Sequence, residues 1–271
     1  MSDEHAPAGL DTSKAHPARR YNYCLGGKDH FAADRESGDL LESYHPTVRL
    51  TARENRAFLQ RAVHFLTADT GIDQFLDIGT GLPTADNTHE VAQRINRRAR
   101  VVYVDNDPMV GVHARALLTS TVEGRTRYLE EDLRNPAEIL GNPQLTEVLD
   151  LDRPVALMLV AVLHFLADYE QARSIVTRLV DALPSGSYLA ASHATLDYAP
   201  PEQAAIALDV LAKGKADMYP RTREQFAGFF SGLELVGPGI VPVSEWMSPV
   251  PAAQRPAAAQ VAIYGAVGRK P

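Results

Sequence analysis

From residue 73 onward the chain alternates short apolar runs with helix-length amphipathic stretches. No other feature constrains the fold as much. Runs at 74–78, 101–104, 126–129, 154–160 and 188–191 read as five strands, and patterns at 87–97, 108–118 and 168–183 read as the helices between them. Strands joined by crossover helices build a parallel sheet covered on both faces, and the right-handed crossover rule makes it doubly wound. The end of the chain departs from this rhythm. A helical pattern at 222–231 precedes apolar runs at 233–236 and 260–267 with no helix between them, which predicts an antiparallel addition at the sheet edge. Pro238, Pro242, Pro249, Pro251 and Pro256 mark the stretch between those runs as a loop or hairpin arm. Upstream, residues 31–45 and 48–68 read as two helices. The second rests on the spacing of Val48, Ala52, Leu59, Val63 and Leu66, with Gly71 as its C-cap. Residues 1–18 are polar and read as a flexible tail. The expected organisation is one domain over 19–271, made of a helical segment at 19–70 and an α/β core at 71–271.

A glycine turn sits where the first strand ends, in Phe75-Leu76-Asp77-Ile78-Gly79-Thr80-Gly81. Only glycine lets a backbone turn sharply and approach a ligand closely, and the following helix presents free N–H groups at its start. Asn87 and Glu90 have the spacing of an N-cap and its partner, which starts that helix near residue 88. Asp105 ends the second strand, where a carboxylate can accept hydrogen bonds from both ribose hydroxyls of an adenosine ligand. Asn106 follows it. Asp132 follows the third strand and is placed to accept from an adenine amino group, with Leu133 packing on the ring. Taken singly, each piece has a plain structural reading: a tight turn, a turn former, a helix cap. The ordered set of a turn, an acid and a second acid after three successive strands points to an adenosine-containing ligand. The dinucleotide fingerprint requires a third glycine or alanine where this chain has Thr84, and the loop from Gly81 to about Asn87 is long for a pyrophosphate cradle. Both facts favour S-adenosylmethionine over NAD.

Several of these stretches resemble a family of S-adenosylmethionine methyltransferases long classed as a domain of unknown function. Residues 20–35, Arg20-Tyr21-Asn22-Tyr23-Cys24-Leu25-Gly26-Gly27-Lys28-Asp29-His30-Phe31-Ala32-Ala33-Asp34-Arg35, resemble its N-terminal signature. Residues 75–84, with Leu82-Pro83-Thr84 closing the glycine motif, are similar to its cofactor loop, as are Asn87-Thr88-His89-Glu90, Val104-Asp105-Asn106-Asp107-Pro108 and Arg221-Thr222. The resemblance spans roughly residues 18–268. It implies a Rossmann-like, doubly wound seven-stranded sheet, mostly parallel with an antiparallel last strand, plus an added N-terminal helical segment. It names no substrate. Gly26-Gly27-Lys28 is not a P-loop, because the required glycine and the Ser or Thr are missing, and read alone it is a turn before a helix. The resemblance makes Gly27 and Lys28 cofactor-site candidates. It also prompts the expectation that 21–31 folds over the cofactor as a lid, with Tyr21 and Tyr23 facing the sulfonium. Alternatively Tyr21, Tyr23 and Phe31 are core anchors.

For catalysis, His164 lies just past the fourth strand, where ligands sit in such sheets, in a stretch resembling the Leu-His motif of small-molecule O-methyltransferases. His193 ends the fifth strand. Each is equally readable as a hydrogen-bonded structural histidine. Asp168 reads as a helix N-cap. Trp246 is either an acceptor-pocket wall or a packing residue.

Composition removes other classes. Net charge of −7 argues against a phosphate-held nucleic-acid binder. Cys24 is the single cysteine, so no internal disulfide forms, and the scattered histidines provide no metal-ligand spacing. The first 20 residues lack a signal-peptide h-region, and the longest apolar run, 155–163, falls far short of the ~20 residues needed to span a bilayer. A cytoplasmic methyltransferase acting on a small molecule, without nucleic-acid or membrane partners, is the leading expectation. An NAD-dependent oxidoreductase and a non-catalytic cofactor-binding module are the alternatives.

Overall fold

The computed structural model describes residues 10–117 and 119–271. Five parallel strands form its frame: β1 (Gln74–Ile78), β2 (Arg100–Asp105), β3 (Arg125–Glu130), β4 (Ala156–Val160) and β5 (Tyr188–Ala194). β1 and β4 are buried along their whole length, because helices cover both faces of the sheet and both side-chain registers must be apolar. β3 is the free edge, and its Arg125, Arg127 and Glu130 discourage pairing with another chain.

The strand order is β3-β2-β1-β4-β5-β8-β6, where β8 (Ile263–Arg269) runs antiparallel to β5. The sheet has eight strands where seven were expected. The stretch past residue 233 splits into two short pieces, β6 (Glu234–Leu235) and β7 (Val241–Pro242), and both pair antiparallel with β8. Gly237 and Gly239, at φ of 63° and 73°, turn the chain between them. Pro242 has no N–H to extend the ladder.

Alternate residues of each strand feed opposite faces. Leu76, Ile78, Val102, Val104, Leu157 and Leu159 point to one core. There they meet α8 (Tyr169–Asp181) and Phe226, Phe229 and Phe230. Phe75, Val101, Tyr103, Ala156 and Met158 point to the other. There α3 (Val48–Ala68) and α4 (Thr88–Ile95) close the layer. The remaining helices are α1 (Pro17–Cys24), α2 (Ala32–Tyr44), α5 (Pro108–Leu117), α6 (Pro136–Gly141), α7 (Pro143–Thr146), α9 (Pro201–Ala212), α10 (Arg223–Ala227) and α11 (Ala258–Val261). Among the described residues no helix is long and apolar enough to cross a membrane.

Two helices lining the site were not anticipated. α1 reads Pro-Ala-Arg-Arg-Tyr-Asn-Tyr-Cys, with no apolar stripe to announce it, and α9 has no buried residue. The tail expected over 1–18 falls outside the described residues as far as residue 9. From His16 onward the chain is anchored: His16 accepts from the Ala18 N–H at the start of α1, and its own N–H donates to Asp34. The buried Arg19 lies 3.1 Å from Asp107.

Candidate functional site

The C-terminal ends of β1, β2, β3 and β4 open into a cleft. Its floor is the glycine turn. The Gly79 and Thr80 N–H groups donate to the Val104 carbonyl at 2.8 and 3.3 Å, continuing the sheet past β1. Gly79 and Gly81 both have positive φ, 75° and 67°, for different reasons. A Cβ on Gly79 would overlap Val162 beyond β4, whereas one on Gly81 would meet nothing within 4 Å. Asp105 fastens this turn: Oδ2 accepts from the Gly81 N–H at 2.8 Å and Oδ1 from the Asp107 N–H at 3.0 Å. Each oxygen retains a lone pair, so the carboxylate can hold two hydroxyls as well. Burial pushes its pKa up.

The loop then runs to a capping box at Asn87 and Glu90, and α4 begins at Thr88 as expected. Thr88 donates to Asp77 Oδ2 at 2.6 Å, beneath the turn. Burial, aided by the Asp105 charge, raises the Asp77 carboxyl to about 6 against the pull of Thr88 and Arg56. His89 meets the buried Tyr103 hydroxyl at 2.8 Å. The Asn-Thr-His-Glu motif is therefore a brace for the floor of the cleft.

Asp132 lies on the far wall in a fork with Arg134, which donates from Nη2 at 2.6 Å and Nε at 2.9 Å, and Asn106 Nδ2 donates at 3.0 Å. Burial pushes the Asp132 carboxyl up, but the Arg134 and Asn106 hydrogen bonds outweigh it and leave it below its ordinary value. Leu133 is buried in the same wall. α1 and α3 form the roof, through His16, Pro17, Ala18 and Tyr21 from the first and Asn55, Arg56 and Leu59 from the second.

The structure thus brings together Gly79, Thr80, Gly81, Asp105, Asn106, Asp132, Leu133 and Tyr21 in one cleft. Gly27 and Lys28 are not in its lining. They occupy the turn after α1, where the Gly27 N–H donates to the Asn22 carbonyl and a Cβ at Gly27 would overlap the Asn22 side chain; Lys28 is exposed. The aromatic residues of the segment divide. Tyr21 faces the cleft, Tyr23 turns outward to donate to Asp39, and Phe31 is fully buried against Leu82, Met109 and Val110. Sequence reasoning missed Asn55, Arg56 and Arg134, which carry no motif of their own, and it had left Asp77 without a role.

A second, mostly apolar chamber adjoins the cleft. The two share Pro17, Tyr21, Asn55, Ala161 and Phe165. A hydrogen-bond chain braces this border. Tyr21 donates to the Ala52 carbonyl at 3.0 Å, Asn55 Nδ2 donates to Tyr21 at 3.0 Å, and Ser192 donates to Asn55 Oδ1 at 2.6 Å. Ser192 in turn accepts from the Ala161 N–H at 2.9 Å. Ala161 sits at φ 54°, a left-handed conformation unusual for alanine, at the exit of β4.

His164 lines this chamber. Its Nδ1 accepts from the Ala194 N–H at 3.4 Å, so Nε2 carries the proton of the neutral ring. Burial, then the neighbouring His193, Arg20 and Arg221, hold its pKa well below the ordinary histidine value. His193 lines neither cavity. It donates from Nδ1 to the Ala194 carbonyl and accepts from Arg221 at 2.7 Å, and burial lowers its pKa to about 3. Arg221 also donates to the Leu163 and Leu166 carbonyls, pinning the turn that carries His164 and Phe165. Asp168 caps α8 by accepting from the Gln171 N–H. Trp246 is fully buried between Phe58 and Phe65, away from both cavities. The proline-rich arm contributes to neither lining. The chamber wall opposite α1–α3 comes instead from 194–220 and 259–263.

Comparison with known proteins agrees with this geometry. The sequence matches the family described as S-adenosyl methyltransferase over residues 3–271. A DUF574 family protein from Streptomyces avermitilis is 48% identical, with 96% of this chain and 99% of that one covered at a TM-score of 0.90. A protein of Thermobifida fusca assigned as a methyltransferase is 40% identical, with 98% of each chain covered at a TM-score of 0.88. The magnesium protoporphyrin IX methyltransferase of Synechocystis, solved with S-adenosylhomocysteine, is 12% identical and shares the fold at a TM-score of 0.55 over 93% of each chain. Among curated proteins there is no match.

Proposed function

The chain belongs to the S-adenosyl methyltransferase family, and from that premise we propose that this S-adenosylmethionine-dependent methyltransferase modifies a small, largely apolar molecule seated in the chamber beside the cofactor cleft. The single observation that carries the reading is the shared border. Pro17, Tyr21, Asn55, Ala161 and Phe165 belong to both cavities, so a ligand in one abuts a ligand in the other.

The cleft residues fit the cofactor. Asp105 holds a diol and Asn106, Asp132 and Leu133 flank a purine. Gly79, Thr80 and Gly81 admit close backbone approach. The cleft lining sets Asp77, Asp105, Glu131, Asp132 and Asp217 against Arg56 and Arg134, an excess of carboxylates that favours a cation. When bound, S-adenosylmethionine supplies a methyl group on a sulfonium that departs as a neutral thioether, so no general acid is needed. The protein's task is then alignment, which can lower a barrier by ~7–11 kcal/mol against ~3–5 for a general base. Tyr21 and Asn55 fix the border, Arg221 fixes the turn after β4, and His164 offers a neutral Nε2–H donor to the acceptor. Residues 19–271 act as one domain, with 19–70 covering the site as a helical lid.

The test is parallel calorimetric titration with S-adenosylmethionine, S-adenosylhomocysteine and NAD, followed by an acceptor screen. Micromolar binding of the first two and none of NAD is the expected result. A protein that binds both yet methylates nothing in a broad small-molecule screen would reduce the reading to a cofactor-binding module.

A further inference from the structure

The apolar chamber holds one fixed charge. Arg20, on α1, is 8% exposed in its side chain. Its Nη1 donates to Ser37 at 3.0 Å, its Nη2 donates to Asp217 at 2.6 Å, and the guanidinium lies 5.7 Å over the Phe165 ring. Phe165 lines both cavities and Asp217 lines the cofactor cleft, so Arg20 stands at their boundary. No aspartate or glutamate is among the described residues lining the chamber. The histidines there do not substitute. Burial lowers both His45 and His164, His45 Nε2 is engaged with Thr51 at 2.7 Å, and Nε2 of His164 is a donor. Among the described lining residues, a nucleophile that had to shed a proton would find only His45, a histidine weakened as a base by its burial and engaged through Nε2 with Thr51. Phenols and alkyl amines, with ordinary pKa values near 10, arrive protonated, and an ammonium would face Arg20.

The geometry points to an acceptor that arrives already ionised: an apolar carboxylic acid whose carboxylate replaces Asp217 on Arg20 and is methylated there to an ester. This rests on the methyl-transfer reading above. Asp217 lies between α9 and α10 in a stretch without regular structure, and its side chain is 48% exposed. Arg20 is buried and held by Ser37, so the pair opens on the Asp217 side. The guanidinium fork matches a carboxylate in shape and charge. In the reaction one carboxylate oxygen forms a bond to the methyl carbon, and the electron pair of the breaking carbon–sulfur bond stays on sulfur. The negative and positive charges cancel, no proton is taken up or released, and the products are a methyl ester and S-adenosylhomocysteine. The neutral ester no longer competes for Arg20, and Asp217 returns to it.

The test is calorimetric titration of the protein saturated with S-adenosylhomocysteine. The probes are straight-chain and aryl-alkyl monocarboxylates of about eight to sixteen carbons, each beside its primary amide. At least one acid is expected to bind about tenfold or more tighter than its amide, the effect of one charge-assisted hydrogen-bonded pair. Arg20→Gln should collapse that ratio to about one, Arg20→Lys should keep part of it, and Asp217→Asn should tighten the acids several-fold while leaving the amides unchanged. Should Arg20→Gln fail to fold, as judged by its melting curve, the Asp217→Asn shift decides. The inference is overturned if no acid outbinds its amide in the wild type, or if the preference survives Arg20→Gln or is untouched by Asp217→Asn. Failure of S-adenosylhomocysteine to bind at all would instead defeat the cofactor-site reading beneath it.

Discussion

The two cavities meet at one border but are built in opposite ways. The cofactor cleft is assembled from consecutive strand ends of a rigid sheet and is lined by carboxylates held by backbone N–H groups, Thr88 and Arg134. The chamber proposed for the acceptor is assembled from attached pieces. α1 to α3 form one wall, 194–220 another, and the only sheet-derived contributions are at the exits of β4 and β5 and near the start of β8. Its α9 wall has no buried residue. The contrast implies that damage to the cleft propagates into the fold, whereas damage to the chamber stays local and appears in turnover.

Substitutions test that contrast in order of expected size. Asp105→Ala removes two charge-assisted hydrogen bonds to a bound diol at about 1.5–3 kcal/mol each, and should weaken S-adenosylhomocysteine about a thousandfold by calorimetry. A loss below tenfold would mean that Asp105 serves only to pin the glycine turn. Next, Gly79→Ala should destabilise the protein by about 2–4 kcal/mol in urea unfolding, from overlap with Val162 added to a left-handed φ. Gly81→Ala should cost about 1 kcal/mol, because it carries the backbone penalty alone. Equal costs would show that close packing is not what distinguishes them.

Asp77 yields a pH signature. Its folded pKa of about 6 lies above the ordinary aspartate value, so the folded state holds a proton that the unfolded chain has released. The resulting penalty is absent below pH ~4 and complete above pH ~6, and it amounts to about 3 kcal/mol at most. Stability from this group therefore falls as pH rises through that window, and Asp77→Asn should flatten the slope in melting experiments from pH 4 to 7. A cationic ligand favours the ionised form, so cofactor affinity should climb over the same window in the wild type and not in the variant. The smallest effect belongs to the chamber. His164→Ala should lower turnover about tenfold, the value of a single hydrogen bond to the acceptor, with S-adenosylhomocysteine affinity unchanged. A large fall in that affinity would move His164 into the cofactor site.

The same asymmetry decides what the sequence discloses. Gly79-Thr80-Gly81, Asp105 and Asp132 are legible because each follows a strand, and strand order maps onto position in the cleft. The α/β alternation is legible for the same reason, down to the capping box that starts α4. The chamber is not. Its wall draws on Pro17, Arg20, Ala161, Leu196, Met218 and Ile263, residues distant in sequence and ordinary in type, brought together only by packing. α1 and α9 escaped notice because neither repeats an apolar stripe. Gly27 and Lys28 lie in the turn after α1, outside the cleft lining, where a Cβ on Gly27 would overlap Asn22. The additional strand, β7, is two residues long, below what periodicity can register.

The border between the cavities is narrow, with five residues in common. In the proposed reading, the positions that meet the methyl acceptor and those that meet the methyl donor are therefore nearly separate sets. On that reading, substitutions in 194–220 and on the faces of α1 and α2 change the acceptor while leaving the donor site in place. Pro17, Tyr21, Asn55, Ala161 and Phe165 are the exception: change there alters both ligands at once, and these positions set the limit on how far the repertoire can travel.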